Sequence, residues 1–132
     1  RVFLTGHTGF KGSWLAFLLN EVGAEGLGYA LPPVGKKNHF ELLNLAQLIG
    51  HVEADIRDEE KLTATMTGFQ PEFVFHLAAQ ALVRPSYTDP KTTFETNVMG
   101  SVNLAGFDRV ALITELPRRE KTSAANEPDA KR

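Results

Sequence analysis

Cysteine is missing altogether from the 132 residues, which removes disulfides, thiol nucleophiles and thiolate metal sites from consideration. Its absence suits a reducing cytoplasm, and a cytoplasmic location is the expectation. An excess of one charge is missing too: 14 Lys and Arg face 16 Asp and Glu, a formal net charge of −2, without the basic surplus a nucleic-acid partner calls for. No apolar run approaches the ~18 residues that span a bilayer, so no membrane partner is expected. The four histidines, His7, His39, His51 and His76, show no metal-ligand spacing, and no metal is expected. Methionine does not open the chain, which starts at Arg1 with a strand-like run. The expectation is a start inside a longer reading frame, with no signal peptide in view. What is present, 42% hydrophobic and 23% charged residues, suits one soluble globular domain.

Short apolar runs alternate with helical patterns along the chain. Strands are read at 1–5, 27–31, 49–54 and 73–77, and helices at 13–19 (ending near Gly23), 40–48, 58–67 and 89–105. Asp58 and Asp89 are read as N-caps, with Pro90 at the first helical position. A loop with two prolines follows the fourth strand. This alternation predicts an α/β fold, a Rossmann-like doubly wound parallel sheet. The sheet is expected to be incomplete, at four to five strands, the fifth being Val110–Thr114. After Gly106 the character changes: Phe107 to Arg132 carries six basic and five acidic residues with little apolar periodicity. Residues 1–106 are therefore read as one domain. Residues 107–132 are read as a divergent, partly disordered C-terminal tail beyond a cut or shifted frame. Half a sheet would expose an edge and apolar surface, so self-association of the isolated chain is expected.

Gly6-His7-Thr8-Gly9-Phe10-Lys11-Gly12 follows a strand and opens a helix. Gly6 allows a sharp turn, Gly9 lets backbone approach a pyrophosphate, and Gly12 lets helix and strand pack closely. Unpaired amides at the helix start favour the anion. The Gly-x-x-Gly-x-x-Gly spacing points to the short-chain dehydrogenase branch of dinucleotide binders. The acidic residue usual at the end of the second strand is replaced by Tyr-Ala-Leu-Pro-Pro at 29–33, with Lys36 and Lys37 just beyond. These residues leave NAD and NADP open.

Thr5-Gly-His-Thr-Gly-Phe-Lys-Gly-Ser-Trp-Leu15, Gly28-Tyr-Ala-Leu-Pro-Pro33, Asp55-Ile-Arg-Asp58, His76-Leu-Ala-Ala-Gln80 and Thr96-Asn-Val-Met-Gly100 together resemble the N-terminal half of the CDP-glucose 4,6-dehydratases. These are nucleotide-sugar enzymes of the extended short-chain dehydrogenase/reductase superfamily. The resemblance covers residues 1 to about 105. It implies NAD as cofactor, a nucleotide-sugar substrate, and a homo-oligomer when the chain is full length. The implied reaction is a lyase reaction that converts CDP-glucose to CDP-4-keto-6-deoxyglucose by internal redox and loss of water.

The resemblance places Gly6, Thr8, Gly9, Phe10, Lys11 and Gly12 around the pyrophosphate. It places Asp55 and Ile56 at the adenine, Asp55 accepting from the exocyclic amine or else serving as a turn cap. Leu77, Ala78, Ala79 and Gln80 are placed against the nicotinamide ribose, and Thr96 near the cofactor or in helix packing. Asn97 is given a structural role, bonding backbone groups beside the site. His76 reads as a satisfied strand-end histidine, Trp14 as helix packing, and Arg84 as either a diphosphate contact or a solvated side chain.

The superfamily pairs a tyrosine with a lysine four residues later on one helix, the lysine lowering the tyrosine pKa so that the phenolate acts as base. Tyr87 and Lys91 match formally, but Pro90 between them cannot sit inside a helix. The pair is rejected, and no residue of this chain is assigned a catalytic role. The family's acid/base group after the fifth strand is likewise not found, since Glu115-Leu116-Pro117 follow Thr114. The 132 residues alone are expected to be inactive. Another nucleotide-sugar epimerase or reductase, and a non-catalytic dinucleotide-binding module, stay open as alternatives.

Overall fold

The computed structural model describes residues 1–107. The proposed fifth strand at Val110–Thr114 and the expected tail fall outside the described residues. Four strands, β1 (Val2–Thr5), β2 (Gly26–Ala30), β3 (Gly50–Glu53) and β4 (Phe73–His76), form one parallel sheet in the order β3-β2-β1-β4. The first crossover carries α1 (Phe10–Glu21), and the second carries α2 (His39–Leu42) with a 3₁₀ turn at Leu45–Gln47. The third carries α3 (Glu59–Phe69); after β4 come α4 (Val83–Thr88), α5 (Pro90–Phe94), a π-helical turn at Glu95–Met99, and α6 (Gly100–Ala105).

Alternation along β1 explains the two layers, because successive side chains leave opposite faces of a strand. Phe3 joins Tyr29, Ile56, Leu62, Met66 and Leu104 under α3 and α6. Leu4 joins Ala16, Phe40, Leu45 and Ile49 under α1 and the second crossover. With both faces covered, all four residues of β1 are buried, as a central parallel strand requires. The sheet is therefore doubly wound and Rossmann-like.

Three local expectations are corrected. The helix read at 40–48 is broken at Asn44, which takes a left-handed conformation (φ 49°) between α2 and the 3₁₀ turn. The loop after β4 contains a helical turn, α4, with Pro85 in its first turn, where a missing N–H costs little. The fourth strand, read as buried, is an edge among the described residues, and Phe73 is 65% exposed. Asp58 caps α3 by accepting from the Lys61 amide at 3.0 Å. Asp89 caps α5 by accepting from the Thr92 amide at 3.0 Å, with Pro90 first in the helix.

Candidate functional site

The carboxyl ends of β1, β2, β3 and β4 converge on a cleft of about 560 Å³, the position where open parallel sheets bind ligands. Its floor is the loop between β1 and α1. Gly6 sits at φ +73°, and a Cβ there would come within 2.6 Å of the Leu77 carbonyl carbon and the Ala78 amide. The β1 and β4 ends therefore touch only because Gly6 lacks a side chain. Gly12 lies against the other side of Gly6, which lets α1 start directly over the sheet. Gly9 precedes α1 as its N-cap and offers no side-chain hydrogen bond, and the first turn holds no acidic residue. The Phe10, Lys11 and Gly12 amides thus precede the first helical hydrogen bond, donated by Ser13 to the Gly9 carbonyl at 2.8 Å, and meet any anion in the cleft with partial positive charge.

Of the residues singled out from the sequence, Gly6, Thr8, Gly9, Phe10, Asp55, Ile56, Leu77, Ala78, Ala79 and Thr96 all line this cleft. Lys11, Gly12 and Gln80 do not. Gly12 is buried beneath the loop, and Lys11 is exposed one helical position beyond Phe10. Gln80 is held just behind the wall: its amide donates to Asn97 Oδ1 at 2.7 Å, and Asn97 Nδ2 donates back to its carbonyl at 3.0 Å. Thr8 is fixed across the cleft mouth, its hydroxyl donating to the Leu31 carbonyl at 2.9 Å.

Asp55 does two things at once. Its Oδ1 accepts from the Arg57 amide at 2.9 Å, closing a turn, and the Arg57 guanidinium bonds both oxygens at 2.7–3.1 Å. The Arg57 bonds hold its carboxyl below the usual carboxylate range. The turn-cap role read from the sequence is therefore present, and the carboxylate stays ionised on the cleft wall. Arg57 also reaches Glu95 at 3.3 Å, tying this wall to the helical segment after β4.

Sequence reasoning singled out the end of the second strand, residues 29–33 with Lys36 and Lys37 beyond, but assigned none of them a contact; Tyr29, Ala30, Leu31, Pro32, Val34, Asn38 and His39, with Ala54 after β3, also line the cleft, and of the two lysines Lys37 does so. The signal was the strand end itself, since every residue just past a carboxyl end in this topology faces the crevice. Tyr29 keeps its proton at neutral pH and is no base. Its hydroxyl donates to the Asp55 carbonyl at 3.1 Å, and burial, with Asp58 and Asp55 adding, pushes its pKa up to about 12.

Beneath the β4 end runs an ordered chain of hydrogen bonds. Thr5 Oγ1 accepts from the Leu77 and Ala78 amides, each at 3.2 Å, so its proton goes to His76 Nδ1 at 2.7 Å. That assigns the hydrogen of neutral His76 to Nε2, which donates to Ser101 Oγ at 3.0 Å, and Ser101 donates to the Asn97 carbonyl at 2.7 Å. Burial lowers the His76 pKa. The histidine is a satisfied strand-end group, as read from the sequence. Tyr87 lies on α4 and Lys91 on α5, with Asp89 between the helices; they do not share a helix face. Trp14, on α1, packs edge-on against Phe17 of the same helix and His39 of α2. No helix among the described residues is long and apolar enough to cross a membrane.

Comparison with known proteins agrees with this geometry. The family profile described as GDP-mannose 4,6-dehydratase matches residues 3–121. The chain is 54% identical over 104 residues to the CDP-glucose 4,6-dehydratase of Salmonella typhimurium, covering 79% of this chain and 29% of that protein. It is 36% identical over 111 residues to a UDP-glucose 4-epimerase of Mycolicibacterium smegmatis, covering 84% and 35%. The crystal structure of the Thermus thermophilus UDP-glucose 4-epimerase complex with NAD superposes with a TM-score of 0.69 at 35% identity, over 79% of this chain and 32% of that one. The Thermotoga maritima UDP-glucose 4-epimerase with UDP-glucose gives 0.69 at 35% identity, over 78% and 32%. The chain spans about a third of the length of these curated relatives.

Proposed function

The chain belongs to the GDP-mannose 4,6-dehydratase family, and from that membership we propose that it is the NAD-binding part of a nucleotide-sugar 4,6-dehydratase acting on CDP-glucose. Residues 1–106 are taken as that binding unit. The observation that carries the reading is the cleft floor: a glycine loop pressed against the β4 end, opening on amides with no side-chain cap. The 54% identity to the Salmonella CDP-glucose 4,6-dehydratase favours CDP-glucose over other nucleotide sugars.

These residues fit NAD. The loop from Gly6 to Gly12 would hold the pyrophosphate through main-chain amides, since Gly9 presents no Cβ and only the Gly6 carbonyl, at 3.4 Å, would neighbour one. Asp55 and Ile56 would border the adenine, and Leu77, Ala78, Ala79 and Thr96 the nicotinamide end. Gln80, locked to Asn97, would shape the strand end from behind. When bound, NAD supplies reversible hydride acceptance and return, which lets a sugar be oxidised, dehydrated and reduced with no net redox change. The chain's own residues would bind and orient that cofactor. None of them is placed as the acid or base of sugar chemistry: Tyr87 and Lys91 sit on separate helices, and the Tyr29 hydroxyl, which holds its proton and so is no base, is engaged with the Asp55 carbonyl. The lyase step, the substrate and a homo-oligomeric assembly therefore belong to the longer protein of this family.

Calorimetric titration of the 132-residue chain with NAD tests the reading. Saturable one-to-one binding, lost when Gly9 carries a large side chain, is expected, together with no turnover of CDP-glucose. Absence of NAD binding by a folded chain overturns the cofactor assignment, and turnover of CDP-glucose overturns the division of labour. A 4-epimerase is the second reading, favoured by the 36% identity to the Mycolicibacterium enzyme. In the longer protein, formation of a 4-keto-6-deoxy sugar against inversion at C4 separates the two.

A further inference from the structure

One side chain of the glycine loop turns away from the cleft. His7 is fully buried and lies over Gly28 of β2, where a Cβ would fall 2.3 Å from its ring. Its Nε2 stands 2.7 Å from Nδ1 of His51 on β3, the residue in register with Gly28. His51 Nε2 in turn faces the carboxylate of the exposed Glu53 at 3.5 Å. A line of three titratable groups therefore runs from beneath the loop to solvent.

Each neutral imidazole carries one hydrogen, which gives this line two arrangements. With both rings neutral, His51 Nε2 directs its hydrogen to Glu53 and His51 Nδ1 accepts from His7 Nε2. His7 Nδ1 is then bare, and that nitrogen is buried without a hydrogen-bond partner. A further proton enters at His51 Nδ1, which turns it into a donor to His7 Nε2 and moves the His7 hydrogen to Nδ1. His7 stays neutral in both arrangements. The polar main-chain group beside its ring is at Tyr29, whose carbonyl already takes the Gly6 amide at 3.0 Å. The second arrangement thus reaches the first residue of the loop.

The groups facing His51 are His7 from the loop, Phe40 of α2 and Glu53 on its own strand. Lys61 of α3 reaches Glu53 at its main-chain carbonyl, and His39, next to Phe40, packs on Phe10 and Trp14. Among the described residues Glu53 is the one ion-pair partner of His51.

We propose that His51 takes up a proton when a dinucleotide settles on the glycine loop, so that proton and ligand bind with positive cooperativity. The inference rests on the NAD reading of the cleft. Imidazole is the side chain that changes charge between pH 5 and 8. A cation on His51, steadied by Glu53, stands behind the loop with His7 between them and adds to the positive field of the loop amides. The diphosphate of the ligand favours that cation in return, because such coupling is reciprocal. Burial of His7 and Phe40 keeps the field from being fully screened by salt.

Calorimetric titration of the 132-residue chain with NAD at about pH 6.5, in buffers of different ionisation enthalpy, reads the proton. About a third of a proton per NAD is expected, with affinity rising about fivefold from pH 8 to pH 6. His51→Gln keeps an acceptor for His7 Nε2 but cannot take the charge, so it is expected to abolish the uptake and flatten affinity against pH. Ring nitrogen shifts of His51 in the unsubstituted chain test the same point without a variant. Adding NAD is expected to move them toward the doubly protonated form. Binding of NAD with heats independent of buffer, or with the His51 nitrogens unmoved, overturns the proposal. So does an uptake that survives in His51→Gln. Absence of NAD binding by the folded chain overturns the NAD reading itself, and this inference with it.

Discussion

Gly12 packs so closely under Gly6 that a Cβ on it would stand 2.1 Å from the Gly6 carbonyl oxygen and 2.8 Å from the His7 Cα. The clash is with backbone, so no side-chain rotation relieves it. Gly12→Ala is expected to destabilise the chain by about 3 kcal/mol, read as a lower urea midpoint with unchanged slope. Gly9→Ala is the matched control. Its Cβ would neighbour only the Gly6 carbonyl at 3.4 Å, so stability should move by less than about 1 kcal/mol while NAD affinity falls, because the methyl group occupies the space a pyrophosphate needs. Equal stability effects from the two substitutions would show that the loop is not pinned in this way.

The loop was legible because three glycines in one turn, between an apolar run and a helical one, have few uses, and each spacing has its own steric reason. The four strands were legible from their apolar character, with boundaries off by a residue or so. The break at Asn44 was not, since a left-handed residue inside an apolar i, i+3, i+4 pattern leaves no mark on that pattern. Nor was the exposure of Phe73, which is set by the strand's place at the edge of the sheet and not by its composition. Asp55 shows the limit at the site: the sequence gives a short carboxylate after β3, but only the fold brings Arg57 onto both its oxygens. Lys37 and Lys36 are indistinguishable in sequence, and the turn at Gly35 separates them.

Asn97 holds Gln80 at both backbone groups, at 2.7 and 3.0 Å. Asn97→Ala strands a partly buried N–H and a carbonyl together, and leaving such a pair unmade costs about 1–3 kcal/mol. The expected result is faster hydrogen exchange at the Gln80 amide and weaker NAD binding, the loss concentrated at the nicotinamide end and smaller for ADP-ribose fragments that lack that ring. Asn97→Asp keeps the Oδ1 acceptor and should rescue the Gln80 amide's protection in part. Unchanged exchange in Asn97→Ala would remove this clasp from the account.

His7 is fully buried in the phosphate loop, its Nε2 at 2.7 Å from His51 Nδ1 and its Nδ1 without a partner. Burial, with the neighbouring His51 adding, lowers its pKa from 6.5 to about 4. The unfolded chain therefore binds a proton near pH 6.5 that the folded chain refuses until about pH 4. Stability is expected to be full above pH 6.5 and to fall between these values, by about 3 kcal/mol from this group, then to level off. Urea midpoints between pH 7 and pH 4 measure the loss. The His7 ring resonances of the folded chain should stay in the neutral form above pH 5, and a folded-state titration near 6.5 would contradict the burial argument.

Thr5 makes the sharpest test of the hydrogen-bond order beneath β4. Its hydroxyl is buried, accepts from the Leu77 and Ala78 amides and gives its own proton to His76 Nδ1. Thr5→Val keeps the shape and removes all three bonds, but the Leu77 amide retains the Thr5 backbone carbonyl at 3.1 Å. The Ala78 amide has no such alternative, so its exchange protection should fall more than that of Leu77. The cost should be about 1–3 kcal/mol, since burying a polar group without its partner is penalised and valine is no true isostere of threonine. His76, released from the donor at Nδ1, is expected to populate both tautomers, visible in its ring nitrogen shifts. Thr5→Ser keeps the hydroxyl and should hold the tautomer at Nε2–H. If serine and valine shift the His76 nitrogens alike, the hydroxyl is not what orders the ring.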